Sequence, residues 1–201
     1  MGDTDHAVRA SPDRDPLHVH GARERILDAA YELFSRHGIH AVGIDRVIAE
    51  ADVAKATLYH HFASKEALVV AFLELREQRW THGWLEAEVE RRAANPCDRA
   101  VAVFDALDEW FRRSDYEGCS FINTLLEIGD RDSLVHKETL RHLTIIRRIL
   151  ESYAEQAGAS DPQETSHQLQ ILVMGAIVSA SRADVDAARR ARPLVDALLA
   201  R

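Results

Sequence analysis

The chain has 201 residues, 46% of them hydrophobic and 29% charged, which suits one large globular domain or two small ones sharing a core. Its 25 Lys and Arg against 33 Asp and Glu leave a formal charge of −8. That argues weakly against the broad basic surface of an indiscriminate nucleic-acid binder, and leaves room for a small local DNA-reading face. Two cysteines, Cys97 and Cys119, make no disulfide framework, and the apolar run from Ile171 to Val178 is far too short to span a bilayer.

Residues 1–20 are polar and lack the apolar centre of a signal peptide, so they are expected to form a disordered leader of a cytoplasmic protein without membrane partners. Period-two alternation and Asn-Gly turns are missing, while helical periodicity runs throughout; the expected fold is all-α with about nine helices. Ile26, Leu27, Ala30, Leu33 and Phe34 share one face of a first helix that Gly38 stops. Short helices follow at about 45–51 and 55–61, separated by Asp52, Val53 and Ala54. Ser64 is a fitting N-cap for a long fourth helix, with Glu66 in its first turn, reaching the early nineties until Asn95-Pro96 breaks it. Further helices are expected at about 98–113, 120–128 and 133–157, with Gly118 and Gly158 at turns. Asp161-Pro162-Gln163-Glu164 marks another helix start. The helix after it is apolar almost all round from Leu169 to Val178, so burial on most sides is expected; Pro193 should kink or divide the last segment.

From Val53 to Lys65 this acidic chain has no carboxylate, and residues 55–65 read KATLYHHFASK. Residues 44–62 have the form of a helix-turn-helix, with Val47, Ile48, Ala51, Val53, Leu58 and Phe62 packing inward. Lys55, Ala56, Thr57, Tyr59, His60 and His61 are left facing out. Cations, hydroxyls and rings beside a groove-reading helix clamp phosphates, and Lys65 closes the far side, so the expected partner is double-stranded DNA. A metal at His60-His61 is disfavoured, because adjacent helical residues point about 100° apart.

Residues 23–68, from RERILDAAYELF through GIDRVIAEADVAKATLYHHFASKEAL, resemble the DNA-binding domain of the tetracycline-repressor (TetR) family. The family pattern T-L-Y-x-H-F is met by Thr57-Leu58-Tyr59-His60-His61-Phe62, and S-K-E-x-L by Ser64-Lys65-Glu66-Ala67-Leu68. The resemblance implies phosphate contacts from Thr57, Tyr59 and Lys65, with Lys55, Ala56 and His60 facing bases. Two positions depart from the pattern. Gly43-Ile44-Asp45 replaces the hydroxyl pair that enters the second helix in many members, with Arg46 a compensating phosphate contact. Asp52 replaces a turn glycine but tolerates the left-handed conformation. The implied organisation is a DNA-binding domain over 21–68 and a helical ligand-binding and dimerisation domain over 69–201.

In that second part the resemblance implies a cavity for a small, mostly apolar ligand. Trp84, Phe104 and Trp110 are its expected wall, and Cys119 and Asn123 its polar groups. Leu143, Ile146, Leu150, Tyr153 and Ala157, at 3-4-3-4 spacing, form an expected homodimer seam. Met174 and Ile177 join it, beside the small residues Gly175, Ala176, Ser179 and Ala180. The function expected is that of a homodimeric repressor freed from a palindromic operator by its ligand. A constitutive DNA-binding protein without a ligand is one rival. A small helical enzyme or thiol redox sensor using Cys119, at a helix start that lowers thiol pKa, is another. No motif calls for a cofactor, a metal or catalysis.

Overall fold

The computed structural model describes residues 21–199, so the leader expected at 1–20 lies outside the described residues. Among them the regular structure is entirely helical. Helix α1 (Ala22–His37) ends at Gly38, whose φ of 77° and ψ of 162° lie in a region almost closed to residues with a Cβ. Helix α2 (Ile44–Ala51) stops at Asp52, left-handed at φ 49° and ψ 58°, and α3 (Lys55–His61) follows at once. These helices close on one another because Ile26, Val42, Val47 and Leu58 are wholly buried between them.

Helix α4 is one long run in three parts. Ser64 caps it by accepting from the Ala67 N–H at 3.1 Å; Lys65–Arg76 is α-helical, Glu77–Glu86 is a π-helix and Ala87–Arg92 is α-helical again. The wide middle turns were not expected, since apolar spacing alone does not separate the two helix types over so short a length. Gly83 sits there for a reason: a Cβ on it would lie 3.0 Å from the Gln78 carbonyl oxygen, on the preceding turn.

After a single 3₁₀ turn (Pro96–Asp98) come α5 (Arg99–Phe111), α6 (Ser120–Glu127), α7 (Leu134–Gln156), α8 (Pro162–Ala180) and α9 (Ala187–Leu199). Ser133 caps α7 and Asp161 caps α8, accepting from the Glu164 N–H at 3.0 Å. The Lys65–Arg76 part of α4 packs on both α1 and α7, while α7, α8, α9 and α5 close a bundle around Phe104, Leu107, Leu150 and Leu169.

Two expectations fail here, and a third is narrowed. Helix α8 is not buried on most sides: Ile171 is 69% exposed, and Gly175 and Val178, one and two turns on, share that open face. Helix α9 runs through Pro193, so of the two outcomes expected there, division does not occur. The expected dimer seam is interior: Leu143, Ile146, Leu150, Tyr153 and Ile177 are buried within one chain, because α7 lies between α4 and α8 and its apolar face is used there. Met174 is half-buried and lines an internal cavity with four of these residues.

Candidate nucleic-acid interface

Helix α3 is anchored by Leu58, fully buried, and by Phe62 just beyond its end, so everything else on it faces outward. Lys55, Ala56, His60 and His61 are exposed, Tyr59 is 45% exposed, and Thr57 is half-buried where α3 meets its neighbours. The His60 and His61 rings meet edge to face at 5.1 Å. Arg23 of α1 lies over the Phe62 ring, 5.1 Å from its centroid, bringing another cation to the end of α3.

The flanking charges are already engaged. Lys55 donates to Asp45 at 3.0 Å, and this hydrogen bond holds its ammonium above its ordinary pKa. Asp45 therefore serves as a partner to Lys55 and not as the cap of α2, whose N-cap is Gly43. Both members of the pair are solvent-exposed, so the contact is a weak one. Arg46 donates to the His37 ring nitrogen at 2.9 Å. Lys65 departs from a simple exposed clamp. It is half-buried, burial pushes its ammonium pKa down, and it lines a cleft of about 330 Å³ with His40 and the 128–130 loop.

The turn after α1 is tied to α6. The Glu127 carboxylate accepts from the His40 backbone N–H at 2.8 Å, and the His40 ring lies 2.7 Å from the Glu127 carbonyl oxygen. Arg36 donates to Glu117 at 3.1 Å just before α6. Helix α6 thus links the end of α1 to the interior of the second half, where its N-cap Cys119 lines an apolar cavity of only about 20 Å³ between α4, α5, α7 and α8.

The expected ligand wall is divided by this geometry. Cys119 faces the small cavity, whereas Trp84 and Trp110 line a separate cavity of about 290 Å³ beside α1. Phe104 is core and lines neither; Asn123 is exposed and lines neither. Burial pushes the Cys119 thiol up, and the helix N–H groups at its back do not reverse that, which removes the ground for a reactive thiolate. Sequence reasoning overlooked Arg76 and left Trp80 as one more aromatic residue of the core. The signal was present: Phe72, Arg76, Trp80 and Trp84 recur every four residues, placing an arginine in the middle of an inward-facing stripe.

Residues 26–72 match the family model for bacterial regulatory proteins of the tetR family. A TetR-family transcriptional regulator from Streptomyces coelicolor superposes with a TM-score of 0.79 at 30% identity, over 89% of this chain and 94% of that one. The chain belongs to the TetR family. It is accordingly a DNA-binding transcriptional regulator and not an enzyme. TetR-family relatives outside that structure include the transcriptional repressor NemR of Escherichia coli K12, 27% identical over 158 residues, covering 76% of this chain and 79% of NemR. The regulator UidR of the same organism is 42% identical over 57 residues, 28% of this chain and 29% of UidR. The likeness to UidR is thus higher in identity and confined to a span of 57 residues, little longer than the expected DNA-binding domain.

Proposed function

We propose that this TetR-family protein is a homodimeric repressor that reads a palindromic operator through α3 and leaves it when a small molecule binds the second half. The functional division is drawn at residue 68, although α4 runs unbroken across it. The observation that carries the reading is the outward face of α3: Lys55, Ala56, Tyr59, His60 and His61 stand clear of the core, with Thr57 half-buried beside them, on a segment with no carboxylate from Val53 to Lys65. Bases are read by the exposed positions at the start of α3, while Tyr59, Thr57, Arg46 and Lys65 hold the backbone. Lys65 reaches it by turning out of its cleft.

One helix-turn-helix makes too few base contacts for specific affinity, and a two-fold dimer sets two recognition helices about 34 Å apart. The face that suits a second copy is the apolar one left open on α8 and α9, with Ile171, Gly175, Val178 and Leu194, and not the interior seam on α7. Release by ligand follows from linkage. A ligand that prefers the conformation with misplaced recognition helices weakens DNA binding, typically by about 1–3 kcal/mol. The α6 tie from Cys119 to His40, together with α4, supplies a route between the two halves.

The test is selection of bound duplexes from random DNA at a stated salt concentration, alongside sedimentation of the free protein and of the complex. A recovered palindrome bound by two chains is expected. A folded protein that enriches no sequence, or that binds as a single chain to an asymmetric site, overturns the reading.

A further inference from the structure

Arg76 is a buried cation without a counter-ion. Its residue is 8% exposed, and its one hydrogen bond among the described residues runs from Nη1 to the Tyr31 hydroxyl oxygen at 2.9 Å. No carboxylate among those residues lies within ion-pair distance of it. A guanidinium offers five N–H donors, so most of this one's hydrogen-bonding capacity meets no protein acceptor, in a place where leaving a charge unanswered is unfavourable.

The space Arg76 faces is the cavity of about 290 Å³ between α1, α4 and the end of α5. Four aromatic residues form much of its wall, beside the charged Glu32, Arg36, Arg113, Asp115 and Glu117. Trp80 and Trp84 stand 5.5 Å apart, Trp110 lies 4.9 Å from Trp80 and 6.0 Å from Trp84, and Tyr31 closes the α1 side. The other charges at its rim are paired. Arg113 binds Asp115 through two bonds at 2.8 and 2.7 Å, and Arg36 is shared by Glu32 at 3.3 Å and Glu117 at 3.1 Å. The Arg36 and Glu32 side chains are well exposed and screened by water, so the surplus carboxylate of that trio weighs less than the buried Arg76 charge.

We propose that this cavity is a binding site for small planar aromatic acids, with Arg76 receiving the carboxylate and the three tryptophans receiving the ring. A guanidinium fork matches a carboxylate through two parallel N–H···O bonds, and indole faces stack on flat rings. Tyr31 adds a third group: its oxygen accepts from Arg76, which leaves its O–H to donate to the same carboxylate. A volume near the lower end of ligand sites selects one or two rings. The site is distinct from the apolar cavity behind Trp80, and it joins α1 to α4. The proposal rests on the ligand-responsive reading above for its regulatory consequence, not for binding itself.

The probes are 1-naphthoate, the neutral 1-naphthamide and the cationic 1-naphthylmethylammonium, titrated by calorimetry into the full chain at 0.15 M salt. All three tryptophans of the chain line the cavity, so indole emission reports on the same site. Naphthoate is expected to bind at least about tenfold tighter than the amide, with the ammonium weakest. Equal affinity for acid and amide, preference for the ammonium, or no binding at millimolar concentration overturns the proposal, and none of these outcomes depends on a variant. Arg76→Met is expected to abolish the preference for the acid while keeping ring binding. Trp84→Ala, at a half-buried position, is expected to weaken all three probes without changing their order. A preference that survives Arg76→Met also overturns the proposal. Naphthoate that binds as expected but leaves operator affinity unchanged counts against ligand release, not against the site.

Discussion

At the scale of single residues, exposure and partner decide what each side chain is for. Tyr59 is 45% exposed and no packed element depends on its ring, so Tyr59→Ala is expected to weaken operator binding by about 1–3 kcal/mol with an unchanged melting temperature. A gel-shift titration beside a thermal melt reads both, and unaltered affinity would refute the assigned face. His142 is the opposite case, a histidine sealed in the core. Its ring stacks on Phe121 at 5.0 Å, Nδ1 meets the Glu77 carboxylate, and Nε2 lies 3.3 Å from Arg141 Nη2. Donating to Glu77 and accepting from Arg141 fits the neutral ring, and burial draws its pKa below the ordinary value more than Glu77 holds it up. The unfolded chain therefore takes up this proton first. The stability that His142 contributes is complete above about pH 6.5 and is lost as pH falls from there through the folded pKa. Melting temperatures between pH 7.5 and 5 should fall less steeply for His142→Gln; an identical slope would exclude His142 as the cause.

At the scale of elements, two glycines mark where backbone and not side chain is in command. Gly38 ends α1 at φ 77° and ψ 162°, and a Cβ on it would also come within 2.4 Å of a Glu127 carboxylate oxygen. Gly38→Ala should therefore cost about 1–3 kcal/mol in chemical denaturation, and a neutral substitution would remove the argument from strain. Gly83 lies in the π segment of α4. In an ordinary helix Gly→Ala stabilises by about 1 kcal/mol, but here the new Cβ presses on the Gln78 carbonyl. A melting temperature that does not rise is expected for Gly83→Ala; a clear rise would mean that the wide turns relax to α-helix without loss. Much of the element order was readable in advance, since Ser64, Asn95-Pro96, Gly118, Gly158 and Asp161-Pro162 act through neighbours a few residues away. The π segment and the passage of α9 through Pro193 were not, because both depend on what the rest of the chain packs against the helix.

At the scale of the molecule, the proposed dimer requires a surface that meets a second copy. Leu143, Ile146 and Leu150 have the spacing of an interhelical seam, and they are one, but the partner helices belong to the same chain. Ile171→Glu places a charge on the open face of α8, where it touches no core. The expected result in sedimentation is a folded monomer that has lost about 2 kcal/mol or more of association and binds operator correspondingly less well. A dimer that persists would move the interface elsewhere.

The sequence by itself determined the helical class, most of the places where helices start and stop, and the family, because caps, turn glycines and the T-L-Y-x-H-F motif act over a few residues. Tertiary structure alone decided which apolar stripe is core and which is open, that Cys119 is a buried thiol, and that Arg76 stands unpaired among Trp80, Trp84 and Trp110. Each of these depends on groups far apart in the chain and near in space, such as Tyr31 with Arg76 or Glu77 with His142, and no local pattern records such distances.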